Sequence, residues 1–271
     1  MKRVNLNCVL CGALMLLHAT SLHACMREGD GIAATIKAYL SGPFTAGGMT
    51  TGLNTAGHIP LYSGEAYDPF VYHYVPKSVP SIPNANVVDW VIVELRGSQS
   101  PTDRIETQTG FILKVGEIVG TDGISPLLFE TVGVGSYYVV VRHRNHLPVM
   151  SAAPVTVHEG LLDYDFTTAQ SKAYGEHPMA ALSGGVYGMH GGDANRDGIV
   201  AYSGNANDRL EILRVTGLTD ALASVSGYFD ADLNMNGNVR FGGSANDRAV
   251  LQRCVGYADP TMPIISQVPD L

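Results

Sequence analysis

The residues best suited to chemistry stand in two acidic loops 39 positions apart. Asp193, Asn195 and Asp197 alternate ahead of Gly198, and Asp232, Asn234 and Asn236 alternate ahead of Gly237. D-x-N-x-D-G is the first half of a helix-flanked calcium loop. Side chains at positions 1, 3 and 5 turn oxygens inward, glycine at position 6 permits the sharp turn, and the position-7 carbonyl faces the ion. The first loop therefore offers Asp193, Asn195 and Asp197 as side-chain donors and Ile199 as a carbonyl donor, with Val200 making the apolar contact that ties the loops together. An oxygen-only set without Cys or His suits Ca²⁺, and so many protein oxygens disfavour Mg²⁺, which keeps its waters.

The duplication runs without a gap from 193–217 onto 232–256, with 11 identities in 25 positions concentrated on glycines and oxygen-bearing residues. Position 12, the usual place of the closing carboxylate, is Gly204 in one repeat and Gly243 in the other. The next acids, Asp208 and Asp247, follow four residues later in both. A four-residue insertion is thus expected to move the closing ligand to the start of the next helix, where either aspartate coordinates through one or both oxygens. The alternative is an ordinary helix N-cap or first-turn acid, each preceded by Asn207 or Asn246. The first set holds three carboxylates and the second two, because Asn236 replaces the acid at position 5. The first of the two sites is expected to bind its ion more tightly.

Each loop leads into a short helix, with Leu210, Ile212, Leu213 and Val215 before Gly217, and Val250, Leu251, Cys254 and Val255 before Gly256. Helices of about ten residues cannot stand alone in water, so the two are expected to pack on each other about a pseudo-twofold axis. This arrangement, over 188–256, resembles the dockerin type I module, whose paired repeats bind two calcium ions and, in cellulose-degrading assemblies, dock onto a cohesin domain. The resemblance implies ligands at Asp193, Asn195, Asp197, Ile199 and Asp208, and at Asp232, Asn234, Asn236, Asn238 and Asp247. The chain departs from the family in its insertion, and in carrying Tyr202-Ser203 and Phe241-Gly242 where the family has its small polar pair.

Upstream, from 32 to 158, short β-rich runs alternate with Gly, Pro, Asn and Ser; the clearest are 32–40, 87–95, 110–119, 127–131 and 137–143. The run 87–95 alternates with apolar residues on both faces, which suits a central strand, and no amphipathic helix interrupts the region. The expected fold is mainly β plus small α: an antiparallel β-sandwich followed by a small dockerin-like helical domain. Residues 41–86 read as Gly/Pro-rich loops packed over the sheet, and loops of that length are often functional. Together with 137–150 and Tyr164-Asp165-Phe166-Thr167, the run Val88 to Arg96 resembles a β-module of secreted bacterial surface proteins, often labelled haemagglutinin-like. Arg142, His143, Arg144, Asn145 and His146 form its densest polar cluster. One reading has Arg142, His143, Arg144 and His146 holding a glycan or anion, with Trp90 or Tyr137 as a platform. The other has a strand end and turn whose polar groups cap the sandwich. Asp89 and Glu94 lie on opposite faces of one strand and make no glycosidase acid pair, and Glu94 is expected to pair with Arg96.

Lys2 and Arg3 ahead of the apolar stretch Val9 to Leu17 read as an export signal, too short for a membrane helix. Leu22-His23-Ala24-Cys25 resembles a lipobox, which implies a lipid anchor on Cys25; otherwise Cys25 stays free or pairs with Cys254. The expected plan is a signal peptide at 1–24, a β-sandwich-like domain at 32–167, a linker at 168–187, a tandem calcium-loop domain at 188–260 and a tail at 261–271. Of the 271 residues 15 % are charged, and the formal net charge is −8. An acidic balance excludes a nucleic-acid binder. From 191 to 271 there are 10 acids against 6 bases, so much of the acid is gathered at the loops. The expected function is that of an exported calcium-binding surface protein in adhesion or protein docking, with a protein partner or surface glycan and without catalysis. The alternative is a carbohydrate-binding or polysaccharide-degrading protein.

Overall fold

The computed structural model describes residues 31–217, 219–220, 222–256 and 262–270. The expected signal segment and Cys25, and with them lipidation or a Cys25–Cys254 bond, lie outside the described residues.

Nine strands form one hydrogen-bonded sheet: β1 (Ile32–Lys37), β2 (Val87–Arg96), β3 (Arg104–Leu113), β4 (Glu117–Val119), β5 (Leu127–Phe129), β6 (Ser136–His143), β7 (His146–Met150), β8 (Val155–Thr156) and β9 (Leu161–Asp165). The order is β8-β6-β2-β3-β4-β1-β9, with β5 also on β1 and β7 also on β6. Only residues 157–160 separate β8 from β9, yet the two sit at opposite ends of this path, so the sheet must curl until its ends approach. The chain is mainly β with a small α component, as expected. The purely antiparallel arrangement is corrected: β9 runs parallel to β1, Ala33 facing Leu161 and Lys37 facing Asp165. The whole β-rich part intervenes between these two strands, which supplies the long crossover that a parallel pair requires.

Alternation in β1 buries Ile32, Ala34 and Ile36, whereas all ten residues of β2 are buried. Residues 52–79 share the core with β2 through Leu53, Ile59, Ala66, Tyr67, Tyr74 and Val79. The expected overlay of loops on the sheet is therefore present, built around three one-turn helices at Gly52–Thr55, Ser63–Ala66 and Pro69–Tyr72. The run 110–119 is two strands. Gly116 turns the chain between them at φ +89, where a Cβ would strike the Ala38 carbonyl at 2.6 Å.

The repeats contribute β10 (Ile199–Val200), α1 (Asp208–Thr216), β11 (Ser224–Ser226), β12 (Asn238–Arg240), α2 (Asp247–Val255) and β13 (Ile264–Ile265). Val200, Ile212, Leu233, Val239, Val250 and Leu251 share one apolar cluster, so Val200 and Val239 meet in the same core. Their strands pair elsewhere: β12 with β11, and β10 with β13. Val225 faces Val239 and Ile264 faces Val200, which extends the 39-residue register past Gly256. The Gly227 amide donates to the Gly237 carbonyl at 3.1 Å, and 39 residues later the Ser266 amide donates to the Gly198 carbonyl at 2.9 Å. Each repeat is thus loop, helix and strand, and the two exchange their strands.

Residues 262–270 are consequently no free tail. Val268 is buried with Val140 and Met150, Arg96 donates to the Pro269 carbonyl at 3.0 Å, and Arg142 pairs with Asp270. Likewise the expected linker lies against the sheet, with Ala173 and Met179 in its core. Ending the chain at residue 261 is expected to lower stability by at least about 2 kcal/mol, from the lost burial of one valine and the lost hydrogen bonds. Urea unfolding measures this, and an unchanged midpoint would show that the strap is dispensable.

Candidate functional site

The two loops share the main bonds of one hydrogen-bonding scheme. In the first, Asp193 accepts from the Asp197 and Gly198 amides at 3.1 and 3.2 Å; in the second, Asp232 accepts from those of Asn236 and Gly237 at 3.1 and 2.7 Å. Asp197 Oδ1 accepts from the Ile199 amide at 2.9 Å, and Asn236 Oδ1 from the Asn238 amide at 2.8 Å. Asn195 and Asn234 reach across to the carbonyls of Ala206 and Ala245 at 2.8 and 2.9 Å. Backbone dihedrals repeat as well. Gly198 and Gly237 have φ +78 and +85, and the position-4 residues Arg196 and Met235 have φ +61 and +56. The sharp turn that the motif needs is formed in both loops.

The late aspartates come to the loops. Asp208 Oδ1 accepts from the Ala194 amide and Oδ2 from the Ala201 amide, both at 2.7 Å, while Asp247 does the same with Leu233 at 2.9 Å and Arg240 at 2.8 Å. Each carboxylate clasps the entry and exit arms of its own loop from the first position of the helix. Asn207 and Asn246 occupy the N-cap positions, so neither aspartate is the cap itself.

Electrostatics set these acids apart. Asp193, Asp208, Asp232 and Asp247 are buried. Among the described residues, none of them, nor Asp197, enters an ion pair with Lys, Arg or His. Burial, together with the charges of Asp208 and Asp197, pushes Asp193 up to about 7. Burial and Asp197 raise Asp208 to about 7, although backbone amides pull the other way. Burial and Asp232 raise Asp247 to about 7, and burial raises Asp232 to about 6 against the pull of Arg144. Among the described residues, no three His, Cys, Asp or Glu side chains form a group that could hold a metal ion. A cation at either loop would need amide and backbone carbonyl oxygens as well as carboxylates. The oxygen-only chemistry and the unpaired buried acids fit a hard divalent cation.

The second candidate, the polar cluster, lies inside the molecule. Trp90 is fully buried, its indole donating to the Pro60 carbonyl at 2.8 Å and its ring 3.9 Å from that of Phe111. It is a core residue, because the 52–79 overlay covers the face on which a platform would have to lie. His143, Arg144, Asn145 and His146 are buried too. They form the β6–β7 turn, which plugs into the repeats. Asn145 donates to the carbonyls of Asp230 and Asp232 at 2.9 and 3.0 Å, and Arg144 donates to that of Phe229. Asp89, aimed outward from β2, gathers this plug. It accepts from Arg144 at 2.8 Å, from Tyr228 at 2.9 Å and from the Trp90 amide at 2.8 Å, with His143 at 3.2 Å. Burial disfavours its charge, but Arg144 and His143 outweigh that and hold Asp89 below the usual carboxylate range.

Glu94 takes the corresponding role nearby, paired with Arg96 as expected and also with Arg142 and Arg104. Arg142 lines a cleft of about 330 Å³ with Tyr72, Asp193, Arg196 and Asp270. Motif reading did not find Asp89, Tyr228, Asp230 or the strap at 264–270 as partners of these sites. The one available signal was the 39-residue register itself, carried on from Val225 to Ile264.

No protein-family model matches the chain, nor does any curated protein. It is similar to a chain of a type II cohesin–X-dockerin complex from Acetivibrio cellulolyticus, crystallised as an N-terminal interface mutant. The likeness covers 81 % of this chain and 94 % of that one, with 15 % identity and a TM-score of 0.33. A score so low carries no argument for fold, ligand or partner. Among the described residues no helix is long and apolar enough to cross a membrane.

Proposed function

We propose that residues 188–270 form a two-site calcium module, the structural end of a non-catalytic, exported surface protein that acts in adhesion or protein docking. The observation that carries this reading is the contrast between two kinds of buried acid. Asp89 and Glu94 are matched with arginines, whereas Asp193, Asp208, Asp232 and Asp247 are buried without a cationic side chain and, among the described residues, accept only from backbone amides. Unpaired buried carboxylates are costly, and a bound divalent cation removes that cost. Asp193, Asn195, Asp197, the Ile199 carbonyl and Asp208 would hold one ion; Asp232, Asn234, Asn236, the Asn238 carbonyl and Asp247 would hold the other. Position-4 residues tie both loops to their surroundings, Arg196 through its ion pair with Asp230 and Met235 through the core under the sheet. Loading the loops would therefore stiffen the junction as well.

Docking is supported by the apolar side chains that the 61–75 overlay leaves in water, with Phe70 88 %, Val75 82 % and Val71 59 % exposed. Burial of Trp90 and Arg144 weighs against an open glycan platform. Calorimetric titration of the chelator-treated protein with Ca²⁺ is expected to give two ions per chain, the three-carboxylate first site binding more tightly than the second. Absence of binding heat would overturn the reading.

A further inference from the structure

We propose that His143 and His146 make the junction between the sheet and the repeats open on acidification. The geometry permits one proton arrangement. His146 Nε2 accepts from the Gly42 amide at 3.1 Å, so the ring proton is on Nδ1. That N–H faces Asn145 Oδ1 at 2.8 Å and His143 Nδ1 at 3.0 Å. His143 must then carry its proton on Nε2, which faces Asp89 Oδ2 at 3.2 Å. All four ring nitrogens are satisfied, and both rings are neutral. A further proton on His146 would set an N–H against the Gly42 N–H; on His143 it would set an N–H against that of His146. Either ring must leave its place to accept it.

The neighbours on every side bear on these rings. Asp89 from β2 attracts a proton to His143, with Arg144 opposing and Asp230 of the repeats adding to the attraction. Arg144, His143 and His190 all oppose one on His146. Tyr228 sits on Asp89, and Ser41 receives the Gly191 amide beside the His146 ring. Burial comes first for both, and both imidazoles lie below their usual range. Groups kept neutral in the closed form but free to charge in the open one favour closure above the ordinary imidazole value, about 6.5, and lose that contribution as pH falls below it. Each ring shifts the open-to-closed ratio by up to about tenfold per pH unit, or about a hundredfold for the two.

The rings sit where opening matters. The Leu147 amide donates to the His190 carbonyl at 2.8 Å and the Gly192 amide to the Asn145 carbonyl at 3.0 Å, joining the β6–β7 turn to the entry of the first loop. With the Gly42 amide, these report the junction in hydrogen exchange, once corrected for the intrinsic pH dependence of exchange. In excess Ca²⁺, wild-type protection at the three amides is expected to fall by up to about thirtyfold from pH 6.5 to 5.5. In His146→Gln the amide oxygen can accept from Gly42 without titrating, and the fall should shrink to about fivefold or less. Unchanged wild-type protection, or an equal fall in the variant, would overturn the proposal. Nitrogen NMR of the wild-type imidazoles tests it without a variant. Neutral Nδ1–H on His146 and Nε2–H on His143 are expected at pH 7.5, and imidazolium signals with protection intact would refute it.

Discussion

Replacing Asp89 with alanine is expected to cost about 3–5 kcal/mol, the range for removing one partner of a buried charge pair. The reason is what the carboxylate leaves behind rather than the bonds it makes. Arg144 is 2 % exposed and would keep its charge with no carboxylate on Nε. The Tyr228 hydroxyl, the His143 ring and the Trp90 amide would lose their acceptor in the same step. Arg144 and His143 lie where the β6–β7 turn meets the repeats, and both are buried there. The loss should therefore reach both regions, with the thermal midpoint falling by roughly 10 °C at 2–4 °C per kcal/mol for a chain of this size. Asp89→Asn should fall between, since its amide oxygen still serves the Trp90 amide but supplies no charge to Arg144. A change below about 1 kcal/mol on Asp89→Ala would mean that the plug does not hold the junction.

How much of this was legible in the sequence depended on whether the signal was local. The loops were readable because six consecutive residues carry their geometry: alternating oxygens and one glycine fix inward side chains and a left-handed turn. Asp208 and Asp247 could be placed near the loops by their equal displacement in both repeats, though not their clasp on the Ala194–Ala201 and Leu233–Arg240 amides. Long-range partners left no comparable trace. Asp89 reads as one polar residue in an apolar strand, and only the fold brings Tyr228 to it from 139 positions away. Trp90 reads equally well as a platform or a core residue, and the decision lay with the overlay at 52–79, whose weak periodicity hides its buried side chains. The exchanged strands were missed because two-residue strands such as Ile264–Ile265 lie below what a pattern of alternation can show.

Asp208→Ala and Asp247→Ala are expected to remove one calcium ion each, taking the stoichiometry from two to one while the sister loop still binds. Two roles for these carboxylates make opposite forecasts. If they act only as clasps between the loop arms, each variant loses at least two charge-assisted hydrogen bonds and is less stable with or without metal, yet it still binds two ions. If they close the coordination shell, the variant loses the metal-linked part of stability as well. For a site held at 100 times its dissociation constant that part is about 2.7 kcal/mol. The metal-free proteins sharpen the distinction. Burial leaves the carboxyl pKa raised to about 7 in both positions. A raised acid stabilises the folded state while protonated, and that contribution fades as pH climbs through the folded value. Without calcium, each substitution should therefore be less harmful at pH 8 than at pH 5, because the unpaired charge leaves together with the clasp. With calcium the order reverses, since at pH 8 the carboxylate is ionised and the wild type gains most from its ion. Thermal melts of both variants at the two pH values, with calcium and with chelator, separate the cases. Two ions retained in Asp208→Ala, with the calcium-induced rise in midpoint undiminished, would assign the late aspartates to the clasp alone.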